Sequence, residues 1–349
     1  MTDETVLVTG GTGFLATRCI AQALNEGYRV RTTARNNDAA QRIREQVAAA
    51  GAANAPAVEV AAADLTADAG WAEAAAGCTH VLHVASPFPA AQPEDEDEVI
   101  VPARDGTLRV LRAARDAGVR RVVVTSAFGA CGYGHKETKR PFTEEDWTNL
   151  DDPTLPPTVK AKTLAERAAW DFLAREGGGL ELSVVNPVGI FGPVLGPEFS
   201  NSISVLLKLL DGTAPAIVPL SFAVVDVRDV AELHLRAMTH PAAAGQRFIA
   251  SAGDVIEMGA VAKLLRDQLG PDADRVPTKQ LPMWVVKAAA KMAPGASELA
   301  GNLGKVRHVS NAKAREILGW TPRSTEDTLL VTARSLLEQG LVGTPAIMG

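Results

Sequence analysis

The sequence has few cysteines and no dense basic segment, and each of these scarcities excludes a class of protein. Its three cysteines, Cys19, Cys78 and Cys131, are isolated from one another and include no CxxC pair. Neither a disulfide framework nor a metal site is therefore expected, and reduced thiols are typical of a cytoplasmic protein. The net charge of −6 argues against nucleic acid as a partner.

Long apolar runs are also missing. No segment approaches the length that an apolar helix needs to span a membrane, and residues 1–4 are polar and acidic, unlike a signal peptide. Hydrophobic residues make up 46% and charged residues 22% of the 349 positions, which is typical of a globular protein with a sizeable core. We expect a cytoplasmic protein whose partner is a small molecule, not a membrane.

The most informative segment is a glycine-rich turn at residues 9–13. An apolar run at 6–8 precedes it and an amphipathic segment follows it, an order that predicts strand, tight turn and helix. Glycine lets the backbone approach a pyrophosphate at a helix N-terminus, and Gly11, Gly13 and Ala16 fit the dinucleotide fingerprint. The residues expected to contact a dinucleotide here are Gly10, Gly13, Phe14 and Leu15.

Apolar segments alternate with helical segments up to about residue 190, which predicts an α/β fold with a Rossmann-type, doubly wound parallel sheet. The expected strands are 6–8, 28–33, 57–61, 81–85, 121–126 and 182–185, and two of the expected helices are 102–118 and 162–175. The acidic run 94–98 is expected to be an exposed loop. We assign 1–190 to a cofactor-binding domain, to which 224–250 returns. The remaining segments, 191–223 and 251–349, are expected to form a smaller, mostly helical substrate lobe.

The end of the second strand indicates which dinucleotide binds. An acidic residue there would bind the 2′-hydroxyl of NAD, but the segment reads VRTTARN and offers Arg35 instead. A guanidinium suits a 2′-phosphate, and Arg42, about two helical turns later, can add a second charge. Asp64, after the third strand, is placed to accept a hydrogen bond from the adenine amino group. NADP(H) is therefore favoured over NAD(H).

Several segments resemble the extended short-chain dehydrogenase/reductase family, which is NAD-dependent epimerase/dehydratase-like, and within it the aldehyde reductase and dihydroflavonol-reductase-like branch. The matching segments cover nearly the whole chain in the family's order: TGGTGFLA (9–16), VRTTAR (30–35), ADL (63–65), VLHVASP (81–87), RVVVTSAF (121–128), KTLAERAAWDF (162–172), NPVGIFGP (186–193), VVDVRDVAELH (224–234) and SNAKAREILGW (310–320). The resemblance implies an NADPH-dependent reductase and a homodimer formed through helices around 104–116 and 162–175. It also implies further cofactor contacts from Leu65, Val84, Ala85, Ser86, Lys162, Asn186, Pro187 and Val188.

The family's chemistry rests on a serine, a tyrosine and a lysine, and two of these three are substituted in this chain. Lys162 matches the lysine, but Thr158 stands four residues earlier, where the family has the tyrosine that acts as general acid. Ala127 matches the catalytic serine, and Ser126 matches its neighbour. An aliphatic hydroxyl is no useful acid near neutral pH, and general acid catalysis contributes about 10²–10⁴ in rate.

Three alternatives follow from these substitutions. Another group can supply the proton; Tyr133, one of only two tyrosines, and His135 lie just beyond the fifth strand, where open α/β sheets bind ligands. Alternatively, the substrate is an iminium ion, which needs no acid because hydride transfer leaves a neutral amine. In the third alternative, the protein binds NADP(H) without turnover, as a sensor or degenerate paralogue. The expected activity is hydride transfer to a C=N or C=O bond of a hydrophobic small molecule.

Overall fold

A parallel sheet forms the centre of the computed structural model, which describes residues 3–87, 95–136, 138, 140–253, 255–292 and 303–343. The strands are β1 Thr5–Val8, β2 Arg29–Ala34, β3 Glu59–Ala62, β4 His80–His83, β5 Arg121–Thr125, β6 Glu181–Pro187, β7 Gly189–Phe191, β8 Ser221–Phe222, β9 Val224–Asp226, β10 Gln246–Ala250 and β11 Ile256–Glu257. The helices are α1 Phe14–Asn25, α2 Ala40–Ala49, α3 Trp71–Ala75, α4 Asp97–Asp116, α5 Pro157–Glu176, α6 Ile203–Leu210, α7 Val227–Thr239, α8 Met258–Leu269, α9 Met283–Met292, α10 Ala312–Leu318 and α11 Thr325–Glu338.

Within the described residues, seven strands pair in the order β3-β2-β1-β4-β5-β6-β10, and all of these pairs are parallel. The direction of winding reverses between β1 and β4. In open α/β sheets, ligands bind in the crevice at such a reversal, beyond the carboxyl ends of the strands. The glycine turn follows β1 and residues 84–87 follow β4, so both border this crevice.

Both faces of the sheet are covered by helices, because side chains along each strand alternate between two cores. Val6 and Val8 of β1 join the core under α1, α2 and α7, whereas Leu7 joins the opposite core under α3, α4 and α5. The predicted Rossmann-type doubly wound fold is confirmed. β10, which lies within 224–250, is the outermost strand on the β6 side.

The C-terminal part of the chain divides between two cores. Helices α6, α8 and α11 pack around Phe191 of β7 and Val224 of β9 in a separate hydrophobic core. α10, which the sequence assigns to the substrate lobe, instead packs on α7 through Ala314 and Leu318, and the indole N–H of Trp320 donates to the carbonyl of Asp229, 2.9 Å away. Residues 312–320 therefore belong to the packing of the Rossmann half.

Two helices begin earlier than the sequence predicts. α4 begins at Asp97, so the expectation of a loop is wrong for residues 97 and 98; residue 94 lies outside the described residues. Acidic groups in a first turn are favoured by the helix dipole, and Val99 and Ile100 are buried against α5. α5 begins at Pro157, since proline is favoured in the first turn of a helix.

The described helices include none that is both long and apolar enough to cross a membrane. The three cysteines are buried and free. Burial raises the pKa of the Cys131 thiol to about 12 and also raises that of Cys19.

A buried histidine joins α7 to the sheet. His234 Nδ1 lies 2.7 Å from the carbonyl of Val230 and therefore carries the proton, so Nε2 accepts from the hydroxyl of Thr125 at 2.7 Å. Burial lowers the pKa of His234 to about 4, well below its usual 6.5. The imidazole is consequently neutral in the folded protein over most of the accessible pH range.

We expect His234→Gln to reduce the acid sensitivity of the fold. Between pH 6.5 and pH 4 the unfolded chain protonates this histidine and the folded chain does not, so wild-type stability falls as pH falls through that window. The loss attributable to His234 is about 3 kcal/mol. Urea unfolding at several pH values should therefore show a shallower decline for His234→Gln than for wild type. The exposed His135→Gln is the matched control, and parallel curves for wild type and His234→Gln would contradict this prediction.

Candidate active site

The glycine turn lies between β2 and β4 with little space for side chains. Gly10 has φ +75°, and a Cβ there would lie 3.0 Å from the Cβ of Ala85. Its N–H donates to Thr33 Oγ1 at 3.0 Å. Gly13, which is exposed, caps α1 without any side-chain hydrogen bond to the first turn. No side chain caps the first N–H groups of α1, those of Phe14 and Leu15. Together with the glycine turn they form a backbone cradle of the kind that binds a pyrophosphate.

A hydrogen-bonded clamp joins the ends of β1 and β4. Thr9 Oγ1 accepts from the N–H of Ala85 at 3.0 Å and is also hydrogen-bonded to His83 Nδ1 at 2.9 Å. Burial, reinforced by the nearby charge of Lys162, lowers the pKa of His83 to about 3, so the ring is neutral. The clamp positions Val84 and the two residues after it at the crevice. Sequence reasoning missed it, although both partners lie inside the TGGTGFLA and VLHVASP motifs.

The residues predicted to bind the adenosine half lie at the β2 and β3 ends of the sheet. Arg35 is exposed directly after β2 and forms no ion pair with the described residues. Asp64 Oδ1 accepts from the N–H and hydroxyl of Thr66 at 2.8 and 2.7 Å, bonds that lower its pKa. Arg42 lies in α2, where its Nη1 is 2.6 Å from Glu198 Oε1. The carbonyl of Leu65 accepts from an arginine of α4 at 2.9 Å.

Lys162 lies beside the carboxyl end of β5. Its Nζ donates to the carbonyl of Thr125 at 3.1 Å. Burial lowers the pKa of Lys162 to about 8, against the opposing effect of Glu166 one turn later on α5. Thr158 is half-buried in the first turn of the same helix, so the two predicted catalytic positions share one helix face.

A small cavity lies next to the Lys162 ammonium, between the sheet and helices α4 and α5. Its volume is about 10 Å³, enough for a single water molecule. The polar residues that line it are His83, Ser86, Thr107, Thr125, Ser126, Lys162 and Glu166. The structure thus brings four of the predicted site residues, Ala85, Ser86, Ser126 and Lys162, to one place.

Glu166 is a buried carboxylate at the centre of a polar network. Its Oε2 accepts from Ser126 Oγ at 2.5 Å and from Asn186 Nδ2 at 2.8 Å, and its Oε1 accepts from Arg247 Nε at 2.6 Å. The Arg247 guanidinium in turn stacks over the ring of Trp147, 3.8 Å from its centroid. Since the Ser126 hydroxyl donates to Glu166, that proton is not directed at a substrate. Sequence reasoning missed Glu166 and Arg247, although Glu166 stands one turn after Lys162.

The remaining nicotinamide-side candidates follow β6. Asn186 is fully buried and its Nδ2 also donates to the carbonyl of Ala127 at 3.2 Å, while its Oδ1 has no partner among the described residues. Pro187 ends β6. Val188, half-buried, donates its N–H to the carbonyl of Ala250 at 3.0 Å. This segment is held by the sheet immediately beside the Lys162 region.

Comparison with known proteins shows which family this chain belongs to. The family model described as the NAD dependent epimerase/dehydratase family matches residues 6–253. Dihydroflavonol 4-reductase of Zea mays is 32% identical over 351 residues, which cover 97% of this chain and 90% of that protein. Cinnamoyl-CoA reductase 1 of Arabidopsis thaliana is 32% identical over 344 residues, with the same two coverages. The chain belongs to this family.

A solved structure extends the likeness to the fold. Yeast methylglyoxal/isovaleraldehyde reductase, crystallised in complex with NADPH, superposes with a TM-score of 0.78 at 27% identity. The match covers 96% of this chain and 99% of the yeast chain. The predicted membership of the extended short-chain dehydrogenase/reductases is therefore confirmed.

Within this family member, the other predicted proton donors lie away from the Lys162 cavity. The ring of Tyr133 packs edge-on against the ring of Phe128, with centroids 6.2 Å apart. The guanidinium of Arg307 lies 4.1 Å from the centroid of the Tyr133 ring. His135 is exposed, and its Nε2 lies 2.8 Å from the carbonyl of Trp147. Neither Tyr133 nor His135 is among the described residues that line the cavity.

We expect Glu166→Gln to destabilise the fold strongly, because it removes the one charge that is paired with the buried Arg247 guanidinium among the described residues. Breaking one partner of a buried pair costs about 3–5 kcal/mol. The loss should appear as a reduced free energy of unfolding in urea. Glu59→Gln, which breaks the exposed pair with Arg31, is the matched control and should cost under about 1 kcal/mol. Equal losses for the two variants would contradict the buried-pair argument.

Proposed function

We propose that the protein is an NADPH-dependent reductase that transfers hydride to the C=O bond of an aldehyde or ketone. The observation that carries the proposal is the position of Lys162, which lies beside the carboxyl end of β5, two strands from the glycine turn in the sheet order. The yeast relative was solved with NADPH, and its printed name describes an aldehyde reductase. The exposed Arg35 after β2 supports the choice of NADPH over NADH.

The residues of the crevice fit a dinucleotide. Gly10 and Gly13 line the backbone cradle that would take the pyrophosphate, and a Cβ at Gly10 would press against Ala85 on the other side of the turn. Arg35 would take the 2′-phosphate, and Lys162 would hold the ribose next to the nicotinamide. NADPH supplies the hydride when it is bound. The protein then has to position the substrate carbonyl and supply a proton to its oxygen.

Lys162 is the acid that the site offers for that proton. The Thr158 hydroxyl is far too weak an acid, and Ser126 already donates to Glu166. The lowered pKa of Lys162, about 8, brings its ammonium close to the operating pH, where a general acid is most effective. With a threonine in place of the family's tyrosine, no phenol stands at this position on α5 to separate the ammonium from a substrate. Water can return the proton to Lys162 through the adjacent cavity.

The electrostatics of the cavity also support a C=O substrate. The one carboxylate among the described lining residues is Glu166, and Arg247 compensates its charge. An iminium ion would therefore meet the Lys162 ammonium without a free anion to balance it. A C=N substrate is the second candidate, and the absence of a phenol at Thr158 is the observation that favours it.

A paired substrate panel with Thr158→Tyr tests the proposed function. NADPH oxidation should be seen with aldehydes or ketones and should be slower with cyclic imines of the same shape. Thr158→Tyr places a phenol one turn before Lys162, so carbonyl reduction should accelerate by about 10–10². Thr158→Phe, which adds the ring without the hydroxyl, is the matched control.

The panel has outcomes that would replace the proposal. Turnover of imines alone would establish the C=N candidate. Tight NADPH binding without turnover of any substrate, in wild type and in Thr158→Tyr, would identify a non-catalytic NADP(H)-binding protein.

The pH dependence of kcat tests the role of Lys162. Below pH about 8 the side chain of Lys162 is an ammonium and can donate the proton, and above that pH it is deprotonated. The kcat for carbonyl reduction should therefore be level near pH 7. Above pH about 8 it should fall, approaching tenfold per pH unit. Lys162→Met should be slow at every pH and lack this decline. A wild-type profile that stays level through pH 9 would show that another group supplies the proton.

A further inference from the structure

The ion pair between Arg42 and Glu198 connects the two halves of the chain next to the adenosine side of the crevice. Arg42 stands in the first turn of α2, and its Nη1 lies 2.6 Å from Glu198 Oε1. Gln46, one turn later on the same face of α2, donates to the other oxygen of Glu198 at 2.6 Å. Both carboxylate oxygens of Glu198 are therefore bound by α2.

Glu198 belongs to the segment between β7 and α6, which is fixed at its beginning. The N–H groups of Gly192 and Val194 donate to two hydroxyls of α11 at 2.7 and 2.9 Å, and Arg18 of α1 donates to the carbonyl of Pro193 at 2.9 Å. From these anchors the segment extends to α2. The side chains at the far contact remain in water, since Arg42 is 53% and Glu198 36% exposed.

We propose that Glu198 is a specificity-determining residue that competes with the 2′-phosphate of NADPH for Arg42. This inference rests on the proposed function, because it takes the crevice to be an NADPH site. A 2′-phosphate bound between Arg35 and Arg42 would share the Arg42 guanidinium with Glu198, which already holds its Nη1, and it carries the same sign of charge as Glu198. NADH has no phosphate at this position and does not compete. Glu198 therefore weakens binding of NADPH and leaves binding of NADH unchanged.

The expected size of the effect on NADPH binding follows from the exposure of Arg42 and Glu198 to solvent. Ion pairs in water contribute little, because solvent screens them and two long side chains must be ordered. Removing the Glu198 charge should therefore strengthen NADPH binding by about three- to fivefold, not by orders of magnitude. The preference for NADPH over NADH should increase by the same factor.

Fluorescence titration of the full chain with NADPH and with NADH tests the inference. Glu198→Gln should lower the Kd for NADPH about three- to fivefold and change the Kd for NADH by less than about twofold. In an Arg42→Gln background the same substitution should have almost no effect on NADPH. Glu338→Gln, which removes one charge at the exposed end of α11, is the matched control and should change neither Kd.

The outcomes separate this inference from the proposed function. Wild type that binds neither nucleotide would overturn both. If wild type binds NADPH and Glu198→Gln leaves the Kd for NADPH unchanged, the competition is overturned but the proposed function is not. Equal weakening of both nucleotides by Glu198→Gln, together with a lower Tm, would show that Glu198 only links the two halves and would also overturn the competition.

Discussion

The burial of one carboxylate constrains the whole region around the candidate active site. Glu166 is 1% exposed, so its charge must be compensated where it lies. Arg247 of β10 supplies the opposite charge, and Ser126 and Asn186 bring hydrogen-bond donors from the ends of β5 and β6. Three strands and α5 are thereby held in one arrangement. Lys162 depends on it, because the same helix that buries Glu166 also directs the lysine toward the carbonyl at the end of β5.

This constraint separates the scaffold of the site from its reactive positions. Neither the methyl group of Ala127 nor the hydroxyl of Thr158 donates to or accepts from Glu166, so both positions can change without leaving a buried charge unpaired. The network and the lysine are present, while the tyrosine and serine positions that the family resemblance indicates are substituted. In the proposed reaction, Lys162 then has to supply the proton, and burial lowers the pKa of its ammonium.

The sequence predicts what is local and periodic. The fold class, the glycine turn and the approximate positions of the central strands follow from short apolar segments and turn residues, and the structure agrees with them. The early start of α5 could be anticipated from Pro157, since proline favours a first turn. The pairing of Glu166 with Arg247, 81 residues away, and of Arg42 with Glu198, 156 residues away, could not. Which distant charges meet depends on strand order and on how loops return to the sheet, and a single sequence carries no periodic signal for either.

The charged groups at the two ends of the crevice differ in their burial, and therefore in how strongly solvent screens them. Beside β5, desolvation lowers the pKa of Lys162, and solvent ions cannot screen its interactions effectively. Near α2, the guanidiniums of Arg35 and Arg42 are exposed and act through a medium that screens charge within about 8 Å. In the proposed function, reactivity therefore depends on a buried network that tolerates few substitutions, whereas the choice of dinucleotide depends on surface charges. On the proposed competition, a single exposed carboxylate, that of Glu198, would adjust that choice by a few-fold without any change to the groups that perform the chemistry.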